Sequence, residues 1–196
     1  AAAPNKPIRL TDFVEAQAIH IDFVECGFND PLYIMYSSGT TGVPKCIVHS
    51  VGGTLLQHNK ELMMHTDVSR DDVLFYYTTC GWMMWNWLVS GLSIGCSVVL
   101  YDGSPFKTPS IMMDMAQNEK VTIFGTSAKY IAAIEKSGVQ PIKSHDLSHL
   151  KTILSTGSPL AHESFDYVYQ HIKTDVQLSS ISGGTDIISC FALGCP

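Results

Sequence analysis

Apolar runs rich in β-branched and aromatic residues recur along the chain at 32–36, 46–49, 73–78, 96–101, 121–125, 151–154 and 176–181. Their length and composition are those of strands. Stretches with helical spacing lie between them. Ser50 is placed to cap a helix reaching about His65, and Ser127 to cap another reaching about Lys136. Thr108 followed by Pro109 predicts a helix with proline in its first turn, and a fourth helix is expected from about Ala161 to Ile172. Strands alternating with helices of this length predict an α/β fold, a layered and largely parallel β-sheet with flanking helices. Residues 1–31 read as a peripheral N-terminal segment with a short helix capped by Thr11. Residues 32–196 read as one domain or part of one, without internal repeats or low-complexity linkers.

No charged residue interrupts Val73–Tyr101, which raises the question of a membrane span. Gly81, Asn86, Gly91 and Gly95 divide that run, and a buried strand–helix–strand fits it better. The chain is 45% hydrophobic and 15% charged with a net charge of −6, which supports a substantial core and gives no electrostatic case for nucleic acid or an anionic membrane. None of the six cysteines forms a C-x-x-C pair, and several lie in apolar runs. Buried thiols in a reducing cytoplasm are expected, in preference to a zinc site or disulfides. Ala1–Pro4 lacks the basic flank and long apolar core of a signal peptide. His145 and His149 stand four apart, and a surface position is expected for both.

The densest chemistry lies in Tyr36-Ser37-Ser38-Gly39-Thr40-Thr41-Gly42-Val43-Pro44-Lys45. Glycines let backbone N–H groups approach an anion, hydroxyls donate further hydrogen bonds and lysine adds positive charge, so the loop suits a polyphosphate. It is not the common G-x-x-x-x-G-K-[ST] loop that opens a helix. Gly39 and Gly42 are too close, Cys46 stands in place of Ser/Thr, and the strand-like Cys46-Ile47-Val48-His49 follows, predicting a strand–loop–strand hairpin. Two more polar loops follow apolar runs: Ser155-Thr156-Gly157-Ser158-Pro159 and Ser182-Gly183-Gly184-Thr185-Asp186. Ligands of open α/β sheets gather beyond the carboxyl ends of strands, so the three loops are expected to converge on one cleft.

Ser37 to Lys45 resembles the signature loop of the superfamily of AMP-forming acyl-CoA synthetases, adenylation domains and luciferases, with Cys46 in place of its usual glycine. Gly157-Ser158-Pro159 is similar to that superfamily's turn beside adenine, where many members carry an acidic residue at the position of Ser158. Thr185-Asp186 is similar to its Thr-Glu pair, with aspartate for glutamate. Cys80-Gly81-Trp82-Met83-Met84-Trp85-Asn86-Trp87, Tyr101-Asp102-Gly103-Ser104-Pro105, the run at 154–160 and the run at 180–191 resemble its acetoacetyl-CoA synthetase branch.

The resemblance implies an ATP-dependent acid–CoA ligase with ATP, Mg²⁺, CoA and acetoacetate as its small-molecule partners. In that reading Ser37, Ser38, Gly39, Thr40, Thr41, Gly42 and Lys45 hold the β- and γ-phosphates. Gly157, Ser158, Pro159 and Ser180 hold adenine. Thr185 meets the α-phosphate, and Asp186 holds the metal. Trp82, Met83, Met84, Gly125, Thr126, Gly183 and Gly184 surround the acid. Gly183 stands where acetate-specific relatives carry a tryptophan, which implies room for a four-carbon oxo-acid. Members of the superfamily continue past the position of Pro196 with a ribose-binding aspartate, a hinge and a small domain bearing an adenylation lysine. The chain is therefore expected to be an internal fragment without turnover of its own. The alternatives are a ligase for another short-chain acid, such as acetate, propionate or butyrate, and a non-catalytic nucleotide-binding fragment.

Overall fold

A computed structural model describes residues 9–14, 20–37 and 42–196. A single helical turn, α1 (Leu10–Phe13), precedes an antiparallel hairpin of β1 (Pro31–Ser37) and β2 (Lys45–Ser50). The hairpin register pairs Ser37 with Lys45, so the two ends of the hydroxyl-rich loop are held side by side. Ser38, Gly39, Thr40 and Thr41 lie outside the described residues. Helix α2 (Val51–Lys60) follows at once, with Gly53 N donating to the capping Ser50 Oγ, and continues as a π-helical turn over Glu61–His65.

The chain then alternates as its apolar pattern predicts. In order come β3 (Val73–Tyr76), α3 (Met83–Ser90), β4 (Ser97–Val99), α4 (Ile111–Asn118) and β5 (Ile123–Ser127). There follow α5 (Ala128–Lys136), the short α6 (Pro141–Ser144), β6 (Thr152–Thr156), α7 (His162–Tyr167) with a π-helical extension to Ile172, and β7 (Gln177–Ser180). Strands β4-β3-β5-β6-β7 form one wholly parallel sheet. A second hairpin, β8 (Ser182–Gly184) and β9 (Ser189–Ala192), ends the fold.

Both faces of the sheet are covered, which is why its strands read as apolar runs instead of alternating ones. Phe75, Phe124 and Ile153 face a core shared with α4, α5 and α7, while Leu74, Ile123 and Leu154 face one shared with α3 and the π turn. The uncharged run is β3–α3–β4. Among the described residues no helix is long and apolar enough to cross a membrane.

The structure changes four local expectations. Helix α4 starts at Ile111, because the Ser110 carbonyl accepts from Met113 N and Asp114 N while Thr108 and Pro109 form the preceding turn. Strand β5 runs to Ser127, beyond the apolar residues that announced it, so Thr126 lies inside the sheet. Only Cys96 is buried. Cys26, Cys46, Cys80 and Cys195 are exposed and Cys190 is intermediate, because several of these residues sit on the hairpin, in turns or near the chain end instead of in sheet interiors. His145 is no surface histidine: its ring is 6% exposed, with Nε2 2.9 Å from Asp114 Oδ1. His149 is exposed.

Candidate active site

Beyond the carboxyl ends of β6 and β7 lies a cleft of about 350 Å³. One wall is the turn Gly157-Ser158-Pro159, where Gly157 has φ +88°, a left-handed conformation that glycine adopts without steric cost. The turn is tied down by Leu160 N, which donates to Ser180 Oγ at 3.2 Å, and by Thr156 Oγ1, which donates to the Ile181 carbonyl at 3.1 Å. A second wall is the segment Ser182–Thr185, with Cys190 behind it. The third is Trp82, Met83 and Met84 at the start of α3. Two of the three polar loops thus meet in one cleft.

The ends of the third loop, Ser37 and Gly42 to Lys45, do not line this cleft. The link between them is further along β2, where His49 Nε2 lies 2.8 Å from the Thr185 carbonyl. A carbonyl only accepts, so His49 carries its proton on Nε2. Asp186 is exposed and lines a neighbouring groove with His49, Ser50 and Gln57.

Gly125 and Thr126 stand one layer behind the cleft. A Cβ on Gly125 would collide with the Tyr76 ring. That ring packs edge-on against Trp82, with centroids 6.1 Å apart, and against Trp87 at 6.0 Å. Gly125 therefore accommodates the tyrosine that braces a wall. Thr126 is fully buried, and its carbonyl accepts from Tyr76 Oη at 3.4 Å.

Gly183 lines the cleft, yet its missing side chain has a local cause. Paired with Cys190 in the hairpin, it has no room for a Cβ, which would collide with the Ser189 carbonyl oxygen and approach Cys190 Cα to 2.9 Å. A Cβ on Gly184 would meet only the flexible Asp186 side chain.

Among the described residues, none that lines the cleft carries a formal charge. Burial, with the Glu61 carboxylate nearby, pushes the Cys190 thiol up to about 12. It stays protonated at neutral pH and is no nucleophile. Burial likewise raises the Tyr76 phenol well above its usual range. Among the described residues no group of three or more His, Cys, Asp and Glu could hold a metal by itself. A single exposed carboxylate, Asp186, suits Mg²⁺, which keeps several waters and takes one or two carboxylates plus phosphate oxygens.

His49 and Cys190 were not legible as site residues. Both sit in apolar strand-like runs, and only the contact of His49 with the Thr185 carbonyl and the pairing of β9 with β8 bring them there.

The family described as AMP-binding enzyme matches residues 7–194. The acetoacetyl-coenzyme A synthetase of Rhizobium meliloti is 58% identical over 96% of this chain and 29% of its own length. The acetoacetyl-CoA synthetase of Gallus gallus is 54% identical over the same shares. The solved structure of the acetoacetyl-CoA synthetase from Streptomyces lividans superposes with a TM-score of 0.84 at 46% identity, over 89% of this chain and 28% of that one. The chain spans less than a third of the length of the curated relatives it matches. With a parallel sheet, a cleft beyond its carboxyl edge and this match over nearly its whole length, the chain belongs to the AMP-binding enzyme family.

Proposed function

We propose that the whole protein is an AMP-forming acid–CoA ligase that activates acetoacetate, with residues 32–196 contributing part of its AMP-binding domain and residues 1–31 a peripheral segment. The observation that carries this reading is the meeting of Gly157-Ser158-Pro159, Ser180 and Thr185 around one cleft closed by Trp82, Met83 and Met84. The names of the relatives favour acetoacetate among short acids. The four exposed thiols suit a reducing compartment, the cytoplasm.

In this reading an oxygen of the acid's carboxylate attacks the α-phosphorus of ATP, and the bond to the bridging oxygen of pyrophosphate breaks. The acyl-adenylate that results is attacked at its acyl carbon by the CoA thiol, and AMP leaves. Both steps bring anions together, so catalysis is electrostatic stabilisation and positioning. Thr185 donates its hydroxyl to the α-phosphate, and the Gly157-Ser158-Pro159 turn with Ser180 lies along adenine. Ser37, Ser38, Gly39, Thr40, Thr41, Gly42 and Lys45 hold the β- and γ-phosphates, since the described lining of the cleft has no charge to offer. Asp186 would hold Mg²⁺, which supplies charge neutralisation between the phosphates. The uncharged wall of Trp82, Met83 and Met84, with Gly183 and Gly184 opposite, suits the short apolar part of the acid, and Gly125 and Thr126 act through Tyr76 behind it.

The test is acid-dependent ATP–pyrophosphate exchange by the full-length protein with acetoacetate, acetate and butyrate at equal concentrations. Acetoacetate should give the fastest exchange. Faster exchange with acetate or butyrate would overturn the assignment of the acid, and no exchange with any acid would overturn the reaction. Removing the Thr185 hydroxyl by Thr185→Ala should slow exchange about a hundredfold, the usual effect of losing one donor to a developing oxyanion.

A further inference from the structure

Three polar side chains outside the cleft grip the backbone of the hairpin that carries Thr185 and Asp186. Glu61 opens the π turn after α2 and is 1% exposed. A carboxylate taken out of water costs several kcal/mol unless it is well hydrogen-bonded. Lys60 Nζ is 4.0 Å away, so donors must do most of the compensation. Oε2 accepts from Trp87 Nε1 at 3.0 Å. Oε1 accepts from Cys190 N at 3.0 Å, from Gln57 Nε2 at 3.2 Å and from Ser189 Oγ. Two of these donors belong to β9, the return strand of the hairpin.

His58, one turn earlier and fully buried, lies with Nε2 2.6 Å from the Ile188 carbonyl and Nδ1 2.8 Å from Ser90 Oγ. The carbonyl requires the proton on Nε2. Ile188 has φ +49°, which a β-branched residue rarely adopts. Such a conformation costs about 1–3 kcal/mol and persists only when its surroundings over-determine it. His49 completes the set at the Thr185 carbonyl. Three residues of one segment therefore fix the backbone or side chains of Thr185, Ile188, Ser189 and Cys190.

We propose that Glu61, His58 and His49 are positioning residues that set the Thr185–Asp186 turn relative to β2 and α2. The proposal rests on the roles given above to Thr185 and Asp186. Its consequence is that the Thr185–Asp186 turn is tied directly to β2 and α2, the elements that follow Lys45 in the chain. The buried carboxylate gathers donors from α2, α3 and β9 at one point.

The experiment measures pyrophosphate release by the full-length protein as a function of Mg²⁺ concentration at saturating acid, with Glu61→Gln, His58→Asn and Asp186→Asn compared. Glu61→Gln keeps size and shape but turns an amide N–H toward existing donors. It should raise the Mg²⁺ concentration for half-maximal rate about tenfold, as second-layer supports of metal ligands do, while the KM for acetoacetate stays within about twofold. His58→Asn should move it in the same direction. A merely structural role would lower the melting temperature and leave the Mg²⁺ midpoint in place, and that result would overturn the proposal. Should Glu61→Gln fail to fold, Trp87→Phe removes one donor and keeps a ring; an unshifted midpoint there counts equally against it. If Asp186→Asn shifts the midpoint and the others do not, this proposal alone fails. If none shifts, the metal role of Asp186 fails and takes the proposal with it.

Discussion

Gly183 shows how one residue can be read in two ways. As a sequence position it is a gap where a tryptophan would close the acid pocket, and Gly183→Trp would be the natural specificity test. In the hairpin the same glycine is pressed against the Ser189 carbonyl, so even Gly183→Ala must push β8 from β9. Overpacking of this kind typically costs 1–3 kcal/mol, and the expected outcome is a lower melting temperature in a thermal scan of the full-length protein. Gly125→Ala makes the complementary prediction. Its methyl group would displace the Tyr76 ring and through it Trp82, so stability should fall by about the same amount and the KM for the acid should rise. An unchanged KM would mean that Tyr76 does not brace the pocket. Tyr76 is remote from Gly125 along the chain and Ser189 reaches Gly183 only through the register of the β8–β9 hairpin, and that is why the sequence showed the absence of a side chain but not its reason.

At the scale of elements, local chemistry announced the helix starts best where the signal was local. Ser50 and Ser127 cap α2 and α5 as expected, because a hydroxyl reaching the N–H three residues on needs nothing from the rest of the fold. Ser127→Ala should cost about 1 kcal/mol by leaving Tyr130 N without its acceptor, which chemical denaturation would read. The docking of α2 is different, since His58 and Glu61 look like ordinary polar residues of an amphipathic helix until β9 arrives. Burial holds the His58 imidazole below its ordinary 6.5, opposed by the Ile188 carbonyl and the nearby Glu61 carboxylate and assisted by His49. The unfolded chain then binds a proton that the folded one refuses. Stability present above pH 6.5 is lost progressively as pH falls toward the depressed folded value. Melting temperature should therefore drop between pH 7 and 5, and His58→Asn should flatten part of that slope.

Across the whole molecule the decisive feature is the parallel sheet, which puts the ends of β6 and β7 side by side and delivers β8 and β9 to the same edge. If nucleotide binds there, ATP with Mg²⁺ should raise the melting temperature of the full-length protein, because a ligand that binds only the native state stabilises it. No rise at millimolar ATP would favour a scaffold without nucleotide. The alternation of strands and helices, the family and the polar loops were all determined by the sequence, since periodicity, caps and loop composition act over a few residues. What tertiary structure alone decided was which groups meet between elements, from the 136 positions that separate His49 and Thr185 to the few that separate Gly183 and Ser189 across a hairpin. His49 came to Thr185 and Glu61 to Cys190, while Gly125 received Tyr76 and Gly183 was closed off by Ser189. Those pairings depend on sheet order and hairpin register, to which no short-range pattern is sensitive.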